Sequence, residues 1–383
     1  MKAKKWVLVF FLFSFSILLL IGGINYIVDP YSTRNTDLVN TKKVQAYQNE
    51  RLIKIIKVGQ IKPRSIILGT SRAEFGYDPG HDYFVKPSYN MAIGGGSMYE
   101  IEHNLVWAIE QGRLEQVLLV IDYAMLTAMK QKLVPEFDQL FTFQYIYGYL
   151  FSYSTLKRSI EILLGIDIDS SMYCEDGQMD DRFNQKLLTE RGGHLAVMNK
   201  DESIYYQHTS KNYTYIDTGK NSFSDFEKFI NLCYENNIKL DIVFGPSHIR
   251  QWEALDYYVG YDRWLQWKKD IVRSVNTISK RYHQPPYRVI DFSVYHPLTA
   301  EEVPSDPTKN MKYHWEGSHY KKALGLIVLD RLTGTSPYKD FGVALTINNI
   351  DQHLREQAIK RLQYIDTEVY RRNLKRIIES NKK

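Results

Sequence analysis

"SIILGTSRAEFGYDP", residues 65–79, carries a strand signal and a turn signal in one line. Ser65–Gly69 is short, apolar and β-branched, the pattern of a strand buried on both faces. Gly69 ends the run, and Ser71 follows two residues later. A serine after a strand is ordinarily a helix N-cap, because its hydroxyl accepts an orphan amide hydrogen bond. As a nucleophile it needs a base, a partner for that base, and donors for an oxyanion. Arg72 and Glu74 beside it read as a solvated ion pair.

Outward from this stretch the strand signal recurs. "SYNMAIGGGS" brings a second short strand that ends in Gly94, Gly95 and Gly96. "QVLLVID" (Gln116–Asp122), "KLDIVFGPSH" (Lys239–His248) and "YRVIDFS" (Tyr287–Ser293) read as three more. Between them, Met98–Gly112 and Ser224–Asn237 space their apolar residues along one helical face. Two helical stretches run through Trp252 and Trp264, and the second half of Trp315–Leu332 is a helix. Strands alternating with helices predict an α/β domain over about 41–340, a parallel sheet covered on both faces. In such sheets, sites form at the carboxyl ends of strands. Ser71, Gly94–Gly96, Asp122, Gly245–His248 and Asp291 all stand at or just after such ends.

Three regions lie outside this alternation. Thr41–Gln60 reads as a helix through Val44, Ile53, Ile56 and Val58, stopped by Pro63. Residues from about 123 to 222 are rich in Tyr, Asp and Ser and read as an inserted cap, partly helical around Ser154–Leu164. The tail, 345–383, reads as one long helix over Asp351–Lys383 with a stripe of Leu354, Ala358, Leu362, Ile365, Val369 and Ile377. Such a stripe packs on the parent domain or offers a partner surface.

The N-terminus is of another kind. "WVLVFFLFSFSILLLIGG", Trp6–Gly23, has 18 residues and no charge. As a helix it spans roughly 27 Å, close to a bilayer core. No small-x-small exit follows it, so residues 1–25 read as an uncleaved anchor rather than a signal peptide. Lys2, Lys4 and Lys5 precede it and favour a cytoplasmic N-terminus with the body outside, periplasmic or extracellular.

Composition narrows the partners. Of 383 residues 44% are hydrophobic and 24% charged, which suits a packed core. The 29 Tyr, 17 Phe and 6 Trp suit sugar-stacking surfaces and ordinary cores alike. The net charge is +5, but the first three lysines carry +3 and Arg371–Lys383 carries +5, which leaves the rest at −3. A nucleic-acid partner gains no support from that balance. Cys174 and Cys233 could pair or stay as two thiols, and no Cys-x-x-Cys exists for zinc.

A base for Ser71 can be sought in "YHWEGSHY", Tyr313–Tyr320. On one tight turn Glu316 can bind the imidazole of His319, fix its tautomer and stabilise its cation. His314, Glu316 and His319 also suggest metal ligation, but no His-Glu-x-x-His is present, and no metal or cofactor is expected. His248 and His296 read as polar loop residues.

Together "ILGTSRAEFGYDP", "YNMAIGGGS" and "WEGSHYKKALG" resemble the SGNH, or GDSL, hydrolases over roughly Ile61–Leu332. They are most similar to the membrane-anchored envelope branch, which includes alginate O-acetylation and lipoteichoic-acid D-alanylation proteins. The resemblance implies a three-layer flavodoxin-like fold, Ser71 as nucleophile and His319 as base. The family usually places Asp three residues before that His; here it is Glu316, with Asp291 as the reserve. The family's glycine block implies an oxyanion donor among Gly94, Gly95 and Gly96. Its Gly-x-Asn-Asp block is replaced by "GPSH" (Gly245–His248), so Asn90 or Ser247 could substitute, or the Ser71 amide could serve with a glycine. The implied activity is acyl transfer or ester hydrolysis on a cell-envelope glycan, with an acyl donor supplied through a multi-spanning membrane acyltransferase. A non-catalytic glycan-binding or assembly subunit is the alternative.

Overall fold

The computed structural model describes residues 2–34, 38–39, 49–166, 173–204 and 206–380. The chain divides into two compact units, one of residues 1–60 and 136–174, the other of 61–135 and 175–383.

The first unit is helical. Its longest helix is Lys2–Val28, of which Ala3–Val28 is long and apolar enough to cross a membrane. Trp6, Phe11 and Phe13 stand about two-thirds exposed along it. Its last turns are different. Asn25 Nδ2 donates to Leu150 O at 2.6 Å, and Ser159 Oγ donates to Asn25 Oδ1 at 2.7 Å. The described part of the helix expected over Thr41–Gln60 is Glu50–Ile61; residues 41–48, Val44 among them, lie outside the described residues. Helices Phe143–Gly148 and Tyr153–Leu163 and the short 3-10 turns Phe137–Phe141 and Tyr149–Phe151 also belong to the unit.

The second unit is built on one sheet. Its strands are β1 (Ser65–Leu68), β2 (Ser88–Asn90), β3 (Gln116–Ile121), β4 (Lys239–Phe244), β5 (Arg288–Asp291) and β6 (Val343–Leu345). Their order is β2-β1-β3-β4-β5-β6. The first five run parallel, and β6 pairs antiparallel with β5. Every residue of β1 and β3 is buried, so helices cover both faces of the sheet centre. On one face Ile67, Leu118, Val120 and Val243 pack with Ala73, Tyr77, Leu324 and Val328. Each fully buried Leu or Val there contributes roughly 1.5–3 kcal/mol.

The tail departs from expectation. It forms two helices, Ile350–Tyr364 and Thr367–Ser380, not one. Asp366 makes the break: its carboxylate accepts from Val369 N at 3.0 Å and its carbonyl from Tyr370 N at 2.9 Å, which starts a new helix. The stretch from about 123 to 222 is more helical than its composition suggested, with Asp181–Glu190 and His194–Ile204 in the sheet's unit. Cys174 and Cys233 form no disulfide, and burial pushes the Cys233 thiol up.

Candidate active site

Ser71 is held by what its neighbours do. β1 ends at Leu68, and Gly69 permits a close crossing: a Cβ there would come within 2.8 Å of Val120 O. The N-cap of the following helix, Ser71–Gly76, is Thr70 and not Ser71. Thr70 Oγ1 donates to one oxygen of Asp122, at the end of β3, and Arg72 Nη1 donates to the other. Arg72 and Glu74 are buried, which corrects the solvated pair expected from sequence. With both neighbours fixed to Asp122, the Ser71 hydroxyl is left to another partner. Its Oγ lies 2.7 Å from His319 Nε2.

The histidine comes from a tight turn. His314 and Tyr320 pair as an antiparallel bridge, and Trp315 N donates to His319 O at 2.9 Å. Inside the turn the Glu316 carboxylate folds back on its own backbone. It accepts from Ser318 N at 2.7 Å, Ser318 Oγ at 2.9 Å and His319 N at 2.8 Å, and it meets His319 Nδ1. Burial pushes the Glu316 carboxyl up, but the His319 charge and the hydrogen bonds from His319 and Ser318 outweigh it and hold it down to about 2. An ionised Glu316 keeps the proton on Nδ1, which leaves the Nε2 lone pair to accept from Ser71.

Two glycines set the distance between the two turns. A Cβ on Gly325 would lie 1.7 Å from Gly76 O, and one on Gly76 would lie 2.1 Å from the Tyr320 ring. Only glycine lets the Lys322–Thr333 helix close on the Ser71–Gly76 helix. Phe75 then meets the His319 ring at 4.7 Å between centroids.

The other sequence candidates go elsewhere. Asn90 Nδ2 donates to Ala73 O and Tyr77 O at 3.0 and 2.9 Å, and its Oδ1 accepts from Ala92 N, so it braces the serine helix and offers no oxyanion donor. Ser247 Oγ donates to Ser318 O at 2.8 Å and His248 N to Gly317 O at 3.0 Å. The "GPSH" turn therefore holds the histidine loop in place. Ile93 N donates to Gly69 O at 3.1 Å, which lays the glycine run beside the serine turn. Gly96 N closes its own turn on Ile93 O, and Gly95 has φ +61°, a left-handed backbone. Asp291 is bound to Lys268 and His353, so Nδ1 of His319 belongs to Glu316 alone among the two carboxylates. His248 caps the Ile249–Val259 helix, and burial lowers its pKa to about 3. His296 Nδ1 accepts from Leu298 N. His314 bonds Glu301 and Pro246 O, and among the described residues no three His, Cys, Asp or Glu gather as a metal site.

A cavity of about 230 Å³ opens beside His319, walled by residues from Asn184 to Asp201, by Tyr206, and by Phe75 and Trp315. Asn184 and Asp201 line it, and sequence reading missed both because their segment shows no strand end or motif. A larger groove of about 560 Å³ runs between the His194–Ile204 and Thr367–Ser380 helices. Glu202, Arg250 and Tyr370, among the residues that line it, form an ion-pair and hydrogen-bond network. Compared with known proteins, the chain matches no family model and no curated protein, so the reading of this site rests on its own geometry.

Proposed function

We propose that the protein is a membrane-anchored serine acyltransferase or esterase that acts on O-acyl groups of a cell-envelope polysaccharide. The observation that carries this reading is the unbroken chain Ser71 Oγ, His319 Nε2, His319 Nδ1, Glu316, at a strand's carboxyl end. The strand order β2-β1-β3-β4-β5 supports a flavodoxin-like, SGNH-type fold, with the 181–204 helices as part of a cap. The apolar Ala3–Val28 helix, with Lys2, Lys4 and Lys5 at its N-terminal end, favours a single-pass anchor and a body on the outer side.

In this reading Ser71 Oγ attacks the carbonyl carbon of the acyl donor while His319 Nε2 takes its proton. The tetrahedral oxyanion forms against the Ser71 amide, which the first helical position leaves out of the helix ladder, and a Gly94 or Gly95 amide. His319 returns the proton to the leaving oxygen, and acyl-Ser71 remains. A sugar hydroxyl, or water, then gives its proton to His319 and takes the acyl group. Donor groups would come from a multi-spanning acyltransferase in the same membrane.

A second reading, a non-catalytic glycan-binding or assembly subunit, is favoured by one observation: Asn90 and Ser247 are both engaged and supply no oxyanion donor. A fluorophosphonate probe separates the two. Labelling at Ser71, together with mass-spectrometric detection of acyl-Ser71 in cells, is expected; an unreactive Ser71 in folded protein sinks the enzyme reading.

A further inference from the structure

The cavity beside His319 carries more information than its size. Its walls are Phe75, Leu187, Leu188, Val197 and Trp315. Two hydrogen-bond donors of lining residues, Asn184 Nδ2 and Trp315 Nε1, have no partner among the described residues, although both residues are only 6% exposed. Leaving such a group dry and unpaired is costly. Asp201 lines the same space and makes no hydrogen bond among the described residues. Arg191 and Tyr206 line it as well, so the cavity offers apolar faces, several hydrogen-bond donors and the Asp201 carboxylate as an acceptor.

That set decides between candidate occupants. An alkyl chain would satisfy the walls but strand both N–H groups and press methylenes against a carboxylate. A sugar ring has apolar C–H faces and hydroxyls that both donate and accept. At about 230 Å³ the cavity is large enough to admit a sugar ring.

We propose that this cavity is the subsite for the sugar ring that carries the acyl-accepting hydroxyl, with Asn184 and Trp315 as donors to its oxygens and Asp201 as acceptor from one hydroxyl. The inference rests on the acyl-transfer reading, which it deepens. His319 lines the cavity, so a hydroxyl of the bound ring can give its proton to Nε2. Its oxygen bonds to the acyl carbon, the Ser71 Oγ–acyl bond breaks, and Oγ recovers the proton from His319.

The test uses the full chain in detergent with Ser71→Ala, so that nothing is consumed. Methyl β-D-glucopyranoside, methyl β-D-galactopyranoside and methyl N-acetyl-β-D-glucosaminide are titrated by saturation-transfer NMR. At least one should bind, and Asn184→Leu and Asp201→Leu should each weaken it about tenfold. Asp201→Asn, which keeps an acceptor oxygen, should stay within about threefold of the parent. If a leucine variant fails to fold, Trp315→Phe replaces it; it keeps the wall, loses the N–H and should weaken binding several-fold. Absence of binding by all three glycosides, or unchanged affinity in these variants, overturns the subsite. So does binding of butyrate in their place, which would assign the cavity to an acyl chain. Fluorophosphonate labelling of the wild-type chain is read separately. Glycoside binding without Ser71 reactivity removes the acyl-transfer reading and keeps a sugar site; reactivity without glycoside binding removes only the subsite.

Discussion

Two carboxylate–histidine pairs, Asp291–His353 at the end of β5 and Glu316–His319 on the turn before the Lys322–Thr333 helix, teach opposite lessons. Asp291 and His353 are 2.9 Å apart, with Lys268 Nζ at 2.7 Å, and the three side chains are 0%, 4% and 0% exposed. Glu316 and His319 pair as closely, but His319 is 22% exposed, opens on a cavity and reaches a serine. The first pair is closed on all sides, so its charges satisfy each other and nothing else can enter. The second has a serine hydroxyl on one nitrogen and space beside it. A carboxylate near an imidazole is common to structure and chemistry; access and a third reacting group separate them.

The largest effect that could break this contrast falls on the open pair. Ser71→Ala and His319→Ala should each lower acyl transfer by about 10⁴-fold or more, and the double variant should be no worse, because nucleophile and base act as a unit. Glu316→Gln should lose about 10³–10⁴-fold, since the amide no longer fixes the Nδ1 tautomer and Asp291 cannot replace it. Thermal unfolding of Ser71→Ala and His319→Ala should stay close to wild type. Normal envelope-glycan acylation in cells carrying Ser71→Ala at equal protein level would end the catalytic reading.

The closed pair should respond in the other observable. Asp291→Ala leaves Lys268 buried with an uncompensated charge and should cost about 3–5 kcal/mol. Its pH signature follows from direction. Burial pushes the Asp291 carboxyl up, but Lys268 and His353 hold it down to about 2, below its unfolded value. The stabilisation is therefore full above about pH 4 and lost as pH falls toward 2. Wild type should lose denaturant resistance steeply across that window, and Asp291→Ala should lose less across it. Equal slopes would show that the pair is not what acid breaks.

These pairs also show what sequence could deliver. β1, β3, β4 and β5 were legible because each is a β-branched apolar run that a buried parallel strand requires. Ser71 and Glu316–His319 were legible because the first follows such a run and the second lies on one turn. β6 was not, since Val343–Leu345 is only three residues long and shows no period. The Asp122 clamp was not, because its partners lie 50 and 52 residues away. The partners of Asn90 and Ser247 were not legible for the same reason: a side-chain amide or hydroxyl near a glycine run gives no sign of which backbone carbonyl it will meet. The tail was over-read, since its apolar stripe continues through Asp366 although that residue caps a second helix.

A smaller effect tests how the open pair is assembled. Gly325→Ala places a methyl against Gly76 O, which is backbone and cannot swing aside. It should cost about 1–3 kcal/mol. It should also move the histidine turn away from Ser71, so kcat should fall more than stability alone explains. A variant that is destabilised yet fully active per folded molecule would show that the Gly76–Gly325 contact does not set the Ser71–His319 distance.

The smallest effect lies in the cavity itself, where two carboxyls are pushed in opposite directions. Glu316 is held low by His319 and its turn, whereas burial, and then the Glu316 charge, raise Asp201 to about 6 against His319, Arg191 and Lys200. A raised folded value means that the folded chain holds its proton longer than the unfolded chain between about pH 4 and 6. Ionising Asp201 in that window costs stability, and the cost persists above it. Asp201→Asn should therefore match wild type near pH 4 and gain on the order of 1 kcal/mol near pH 8, an amount discounted for the residue's partial exposure. Denaturant melts at the two pH values read this directly. A gain of equal size at both would place the effect in packing, and a loss near pH 8 would mean that the Asp201 carboxylate is paired rather than waiting for a ligand. A gain confined to the higher pH would mark Asp201 as a group that weakens the folded chain at neutral pH, as expected of a residue kept for what binds beside it.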